Sequence, residues 1–147
     1  MVDVSDKLQS SRSATATSII ILTPDIIRAI NESNIKKGDV ISVARIAGIQ
    51  AAKKCSELIP LCHQVPISKV SITFDLHRDR IHITALCKTI ARTGVEMEAL
   101  TAASIAALTI YDMCKSIDRG IEVSCTKLVQ KTGGTKKNFE IAGDVRG

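Results

Sequence analysis

Asp112 and Lys115 close a run in which Met97, Thr101, Ile105, Leu108, Asp112 and Lys115 follow one another at steps of four, four, three, four and three. Those steps put all six residues on one face of a helix, with two charges terminating an otherwise apolar stripe. The ordinary account is a surface ion pair at three-residue spacing, contributing about 0.3–0.5 kcal/mol. The chemical account is that a core-side position desolvates both groups, making Lys115 an acid and Asp112 a proton acceptor or donor. Spacing alone favours the ordinary account and leaves the chemical one open.

Glu96 and Glu98 flank Met97 at the start of the same helix, where carboxylates complement the positive end of the dipole. At 1.5 Å per residue they stand about 21–24 Å from Asp112. One small substrate does not span that distance within a subunit. If both ends act together, symmetry must bring the start of one helix beside the end of another. His63 follows Pro60-Leu61-Cys62, just past a predicted helix end. A constrained loop there either aims the ring into a cleft or uses it for a structural hydrogen bond, the commoner role of a single histidine.

Lys37, Arg45, Lys53 and Lys69, with Arg12 nearer the amino end, are scattered cations of the kind that usually confer solubility. Converging on one pocket, they would instead hold a triphosphate and stabilise a departing pyrophosphate. Zinc needs three or four ligands at suitable spacing, and Cys62-His63 supplies only an adjacent pair, so no metal centre is expected. His77 and His82 receive no role.

The elements that must position these groups read strand, helix, helix, strand, strand, helix, strand. Met1–Arg12 is polar without a sustained period and is expected to be a mobile arm. A Thr/Ile-rich strand covers Ala14–Leu22, and Pro24 opens a short helix to Ile30. Val40, Val43, Ala47, Ala51 and Leu58 mark one helix over Asp39–Leu58, stopped by Pro60. Val70, Ile72, Phe74 and Leu76, then Ile81, Ile83 and Ala85, alternate as a hairpin with one buried face around His77–Arg80. A helix without internal Pro or Gly spans Val95–Ile117, and Ile121–Val129 returns to strand. Lys131–Lys137 is a flexible basic loop or tail without Walker spacing. The simplest architecture is an α+β ferredoxin-like sandwich, with helices on one face of an antiparallel sheet. The small side chains of Ala99–Leu108 permit close packing, within the chain or against another subunit.

Composition sets bounds on these choices. A chain of 147 residues with 45% apolar content fits a single domain with a genuine core. It has no bilayer-length apolar run and no export signal at its amino end, which points to a cytoplasmic protein without a membrane partner. The cysteines Cys55, Cys62, Cys87, Cys114 and Cys125 are odd in number and contain no Cys-x-x-Cys pair, so reduced, buried thiols are expected. A net charge of +5 suits an anionic ligand, with phosphate foremost. Aromatic content of 2% leaves few rings for stacking nucleobases, which argues against a single-stranded nucleic-acid partner.

Several phrases are more specific. Lys37-Gly38-Asp39-Val40, the run Ala44–Lys53, Leu58-Ile59-Pro60-Leu61-Cys62-His63, and above all Thr93–Ser104 continuing through Ala106–Lys115 closely resemble the cyclic pyranopterin monophosphate synthase family of molybdenum cofactor biosynthesis. The resemblance covers nearly the whole chain in order. It implies a lyase that opens and recloses the ring system of a cyclised dihydro-GTP, forms a cyclic phosphate and releases pyrophosphate. It also implies a homohexamer built as a trimer of dimers, with active sites at the dimer interface. Carried over motif by motif, Asp112 and Lys115 are the central acid/base pair, assisted by Lys53. Leu61, Cys62, His63, Glu96, Met97 and Glu98 line the substrate, and Lys37, Arg45 and Arg12 meet its phosphates. No redox cofactor is implied, and Mg²⁺ accompanying the triphosphate is left open. The chain departs from the family pattern at Gln64, where proline is frequent, and in its carboxyl-terminal segment.

Two other readings compete. A nucleic-acid or regulatory module suits the positive charge and the ferredoxin-like order, but the aromatic sheet motif of RNA-binding domains is missing. A purely structural oligomer built on the Ala-rich helix predicts that Asp112 and Lys115 affect assembly and no chemistry.

Overall fold

The computed structural model describes residues 1–134 and 138–141. Alternation builds its sheet. In β1 (Ser10–Ile21), Ala14, Ala16, Ser18 and Ile20 point inward, and in β3 (Arg80–Ala91) so do Ile81, Ile83, Ala85, Cys87, Thr89 and Ala91. With β2 (Ile67–Leu76), β4 (Glu122–Thr132) and the two-residue β5 (Phe139–Glu140), the sheet order is β2-β3-β1-β4-β5, and all neighbours run antiparallel. The first strand therefore lies in the middle. Crossovers between β1 and β2 and between β3 and β4 carry the helices, which is the split βαβ arrangement of ferredoxin-like folds.

The helices are α1 (Pro24–Asn31), α2 (Val40–Lys53), the one-turn α3 (Cys55–Leu58) and α4 (Glu96–Cys114). The long α4 lies against β1, β3 and β4 and against α2, burying Ala99, Ala102, Ala103, Ala106, Ala107 and Ile110. Small side chains let the backbones approach closely. A Cβ at Gly48 of α2 would stand 2.9 Å from the Ala102 carbonyl oxygen and would also strike Ile72, so only glycine fits that crossing. Among the described residues no helix is long and apolar enough to cross a membrane.

Four boundaries differ from expectation. The first strand begins at Ser10, so Arg12 belongs to the sheet and not to the arm; its polar Ser/Thr residues pair with β3 all the way from Ala91. The helix expected over 39–58 is interrupted at Lys54, where ψ turns to +12° before α3 begins. The long helix closes at Cys114, leaving Lys115 as its cap. Lys131 and Thr132 are strand residues, paired with Ala14 and Ser13, and not part of a loop; of the expected basic loop, residues 135–137 lie outside the described residues.

Candidate active site

Charged groups gather at both ends of α4. At its carboxyl end, the Asp112 carboxylate receives Lys115 Nζ at 2.7 Å on Oδ1 and Lys37 Nζ at 2.6 Å on Oδ2. Lys37 also donates to the Asp112 carbonyl at 3.1 Å. A carboxylate at a helix carboxyl terminus opposes the dipole, and the two ammonium groups offset that repulsion. Their hydrogen bonds, Lys115 first and Lys37 second, hold the Asp112 carboxyl down at about 2, while Asp112 in turn raises Lys115. Lys37 reaches the site because Ile35 is anchored in the core and Gly38, at φ +103°, turns the chain into α2. Asp39 then caps that helix by accepting from the Ser42 backbone N–H at 3.0 Å and its hydroxyl at 2.7 Å.

The pair has the exposed, three-residue-spaced geometry of the ordinary account, and the core-side position that the chemical account needs is not found within one chain. Asp112 and Lys115 side chains are each 55% exposed. The run from Met97 to Lys115 does share a face, but that face straddles the edge of the core: Thr101 is buried, while Leu108 is 52% exposed. At Asp112 the hydrogen bonds of its two cations therefore outweigh desolvation within one chain.

At the amino end of α4 the balance is reversed. Glu98 is 2% exposed, and burial raises its pKa. Cys62 Sγ donates to Glu98 Oε1 at 3.9 Å, and burial followed by the Glu98 charge pushes that thiol up to about 12. Cys55, fixed at the first turn of α3, shares a hydrogen bond with Thr101 Oγ1 at 3.5 Å. Glu96 pairs with Lys131. Burial raises its carboxyl, yet the Lys131 hydrogen bond, its own backbone N–H and the Lys131 and Arg12 charges together hold it below the usual range.

Lys7, Arg12, Arg92 and Lys131 surround a hollow beside Glu96, also lined by Thr93, Gly94 and Gly133. Arg12 is aimed by donating to the Ala91 and Arg92 carbonyls, at 3.0 and 3.2 Å. Four cations against one carboxylate make this hollow attractive to phosphate. His63 donates through Nε2 to the Val2 carbonyl at 2.6 Å, a contact that fixes its tautomer and folds the amino-terminal segment over the loop.

The remaining expected residues are dispersed. Lys53 and Lys69 line a separate depression with Ile49, Val65 and Val70. Arg45 donates to the Ile72 carbonyl at 3.2 Å and stacks its guanidinium 5.4 Å from the Phe74 ring centre. Leu61 and Met97 are exposed. The cations expected in one pocket thus occupy four places on a single chain. The sequence pattern assigns no site role to Lys7, Arg92, Lys131 or Cys55. For Lys131 the available signal was the continuing strand, which carries it to the level of Ala14.

A family profile described as the MoaC family matches residues 1–134. The chain belongs to the MoaC family. Two relatives bear the name cyclic pyranopterin monophosphate synthase. The protein of Peptoclostridium acidaminophilum is 50% identical over 140 residues, covering 95% of this chain and 89% of its own. That of Thermoanaerobacter sp. (strain X514) is 51% identical over 142 residues, covering 95% and 90%. The matched span of the MoaC profile contains both charged ends of α4.

Proposed function

We propose that this chain is a cyclic pyranopterin monophosphate synthase, a lyase of molybdenum cofactor biosynthesis that converts cyclised dihydro-GTP into cyclic pyranopterin monophosphate and releases pyrophosphate. The observation that carries the reading is the Asp112 carboxylate gripped by Lys37 and Lys115, in a chain about half identical to two synthases of that name.

Opening and reclosing the ring system moves protons, and closing the cyclic phosphate expels an anion. Asp112, ionised throughout the neutral range, accepts and orients a proton; the two ammonium groups donate or neutralise developing charge. Glu98 holds its proton to higher pH than an ordinary carboxyl and serves as a donor. The Arg12 hollow supplies the phosphate clamp. The scheme is redox-neutral and uses no redox cofactor.

Glu98 and Asp112 are about 21 Å apart along α4, so the complete site forms between two copies of the chain. The exposed Met97, Leu108 and Tyr111 on α4 supply apolar surface for that contact. We place this dimer within a hexamer.

Purified protein incubated with cyclised dihydro-GTP is expected to release pyrophosphate. Asp112→Asn and Lys115→Ala are expected to keep the wild-type circular dichroism and to lose turnover by about a hundredfold or more, the scale of general acid–base contributions. Undiminished turnover in both variants, or salt-dependent oligonucleotide binding with no consumption of the nucleotide, overturns the assignment.

A further inference from the structure

Cys55, Cys62 and Glu98 are distant in sequence, yet one ligand atom from each lies within 4.8 Å of the other two. Cys55 and Glu98 are almost fully buried, at 1% and 2% exposed, and the half-buried Cys62 gives the cluster its opening. Among the described residues Glu98 Oε2 has no hydrogen-bond partner, so a buried carboxylate oxygen stands beside two thiols with its acceptor capacity unused. Such a group costs free energy unless something completes it.

We propose that Cys55, Cys62 and Glu98 bind a borderline-soft divalent cation of the zinc class. Two sulfurs and one carboxylate oxygen form a three-ligand set that leaves a fourth, open position. With Zn–S near 2.3 Å and Zn–O near 2.1 Å, a tetrahedral site needs ligand separations of roughly 3.6–3.8 Å. Cys62 Sγ and Glu98 Oε1 already stand at 3.9 Å, so rotamer adjustments of under about 1 Å close the cluster. On binding, each thiol gives its proton to solvent and the carboxyl gives up whatever proton it holds; no electron transfer is involved. Two thiolates and a carboxylate around a divalent ion sum to a single negative charge, which relieves the repulsion the three anions would feel without it.

Binding stands independently of the proposed activity. Its consequence rests on that reading: because Cys62 and Glu98 belong to the proposed substrate wall, an ion seated there excludes substrate, and zinc acts as an inhibitor.

The test is a titration of reduced, metal-free, full-length protein with Co²⁺ and then Zn²⁺ in the presence of a competing chelator. The expected result is one equivalent per chain, with a thiolate-to-cobalt charge-transfer band whose intensity corresponds to two sulfurs and which Zn²⁺ displaces. Cys55→Ser and Glu98→Gln, checked for folding by circular dichroism, are expected to weaken binding by at least ten- to a hundredfold, and Cys125→Ser to leave it unchanged. Pyrophosphate release is expected to be zinc-sensitive in the wild type and insensitive in Cys55→Ser. Absence of the charge-transfer band in wild-type protein, or equal affinity in a folded Cys55→Ser/Cys62→Ser double variant, overturns the site whatever the outcome of the turnover assay.

Discussion

Asp112 shows how a carboxylate can be tuned without burial. Its two ammonium partners lower its pKa, and removing one should release part of that effect. Lys37→Met is therefore expected to move the Asp112 titration, followed by carbonyl-carbon NMR, upward from about 2 toward the ordinary 3.8. Glu98 is tuned in the opposite sense. Its folded-state pKa is raised above 4.5 by burial, so its ionisation costs nothing below the unfolded value and destabilises the fold as pH climbs through the raised one. The wild-type melting temperature should fall across that window, and Glu98→Gln should flatten the fall. At neutral pH the variant is expected to melt higher than the wild type, because it carries no carboxyl to ionise in that buried position. These two environments explain what a linear reading could reach. Helical spacing correctly grouped Asp112 with Lys115 and put Glu98 at the other end of the same helix. It left the depth of burial undecided at both ends, because periodicity gives an angular position and not the depth to which a neighbouring element covers it. Asp112 gained its second cation from the segment before α2, 75 residues away, which no local pattern reports.

At the scale of elements, the period-two hairpin of β2 and β3 and the uninterrupted helix α4 were legible because one strong pattern governs each. The interruption at Lys54 was not, since neither Pro nor Gly marks it; the chain turns there so that Cys55 and Leu58 can leave the axis of α2. The early start of β1 was hidden for a related reason. Ser10, Ser11 and Ser13 have weak strand preference, and the pairing with β3 decides their conformation. The crossing of α2 and α4 offers a direct test. Replacing glycine by alanine inside an exposed helix usually stabilises by about 0.5–1 kcal/mol, but at Gly48 the added methyl meets backbone and Ile72. Overpacking costs about 1–3 kcal/mol, so Gly48→Ala is expected to lower the midpoint of urea unfolding, and Gly48→Leu to lower it much further.

For the whole molecule, the separation of the two charged ends of α4 demands a second copy if one substrate is to meet both. Mixing tests this without knowledge of the interface. Glu98→Gln and Asp112→Asn subunits, each inactive alone, should regenerate intact sites when unfolded together and refolded, because each heterodimer combines one unaltered Glu98 with one unaltered Asp112. Random pairing of equal amounts gives about one quarter of wild-type pyrophosphate release; a chain whose sites lie within single subunits gives none. The sheet order has a consequence of its own for biosynthesis. Because β1 lies between β3 and β4, the first strand to leave the ribosome waits for residues 80–91 and then 122–132 before both its edges are matched. Throughout that interval the nascent chain displays the unsatisfied backbone of Ala14–Ile21, an invitation to intermolecular pairing. Messages truncated ahead of Glu122 should accordingly yield inclusion bodies or chaperone-bound product, while the complete reading frame yields dispersed protein.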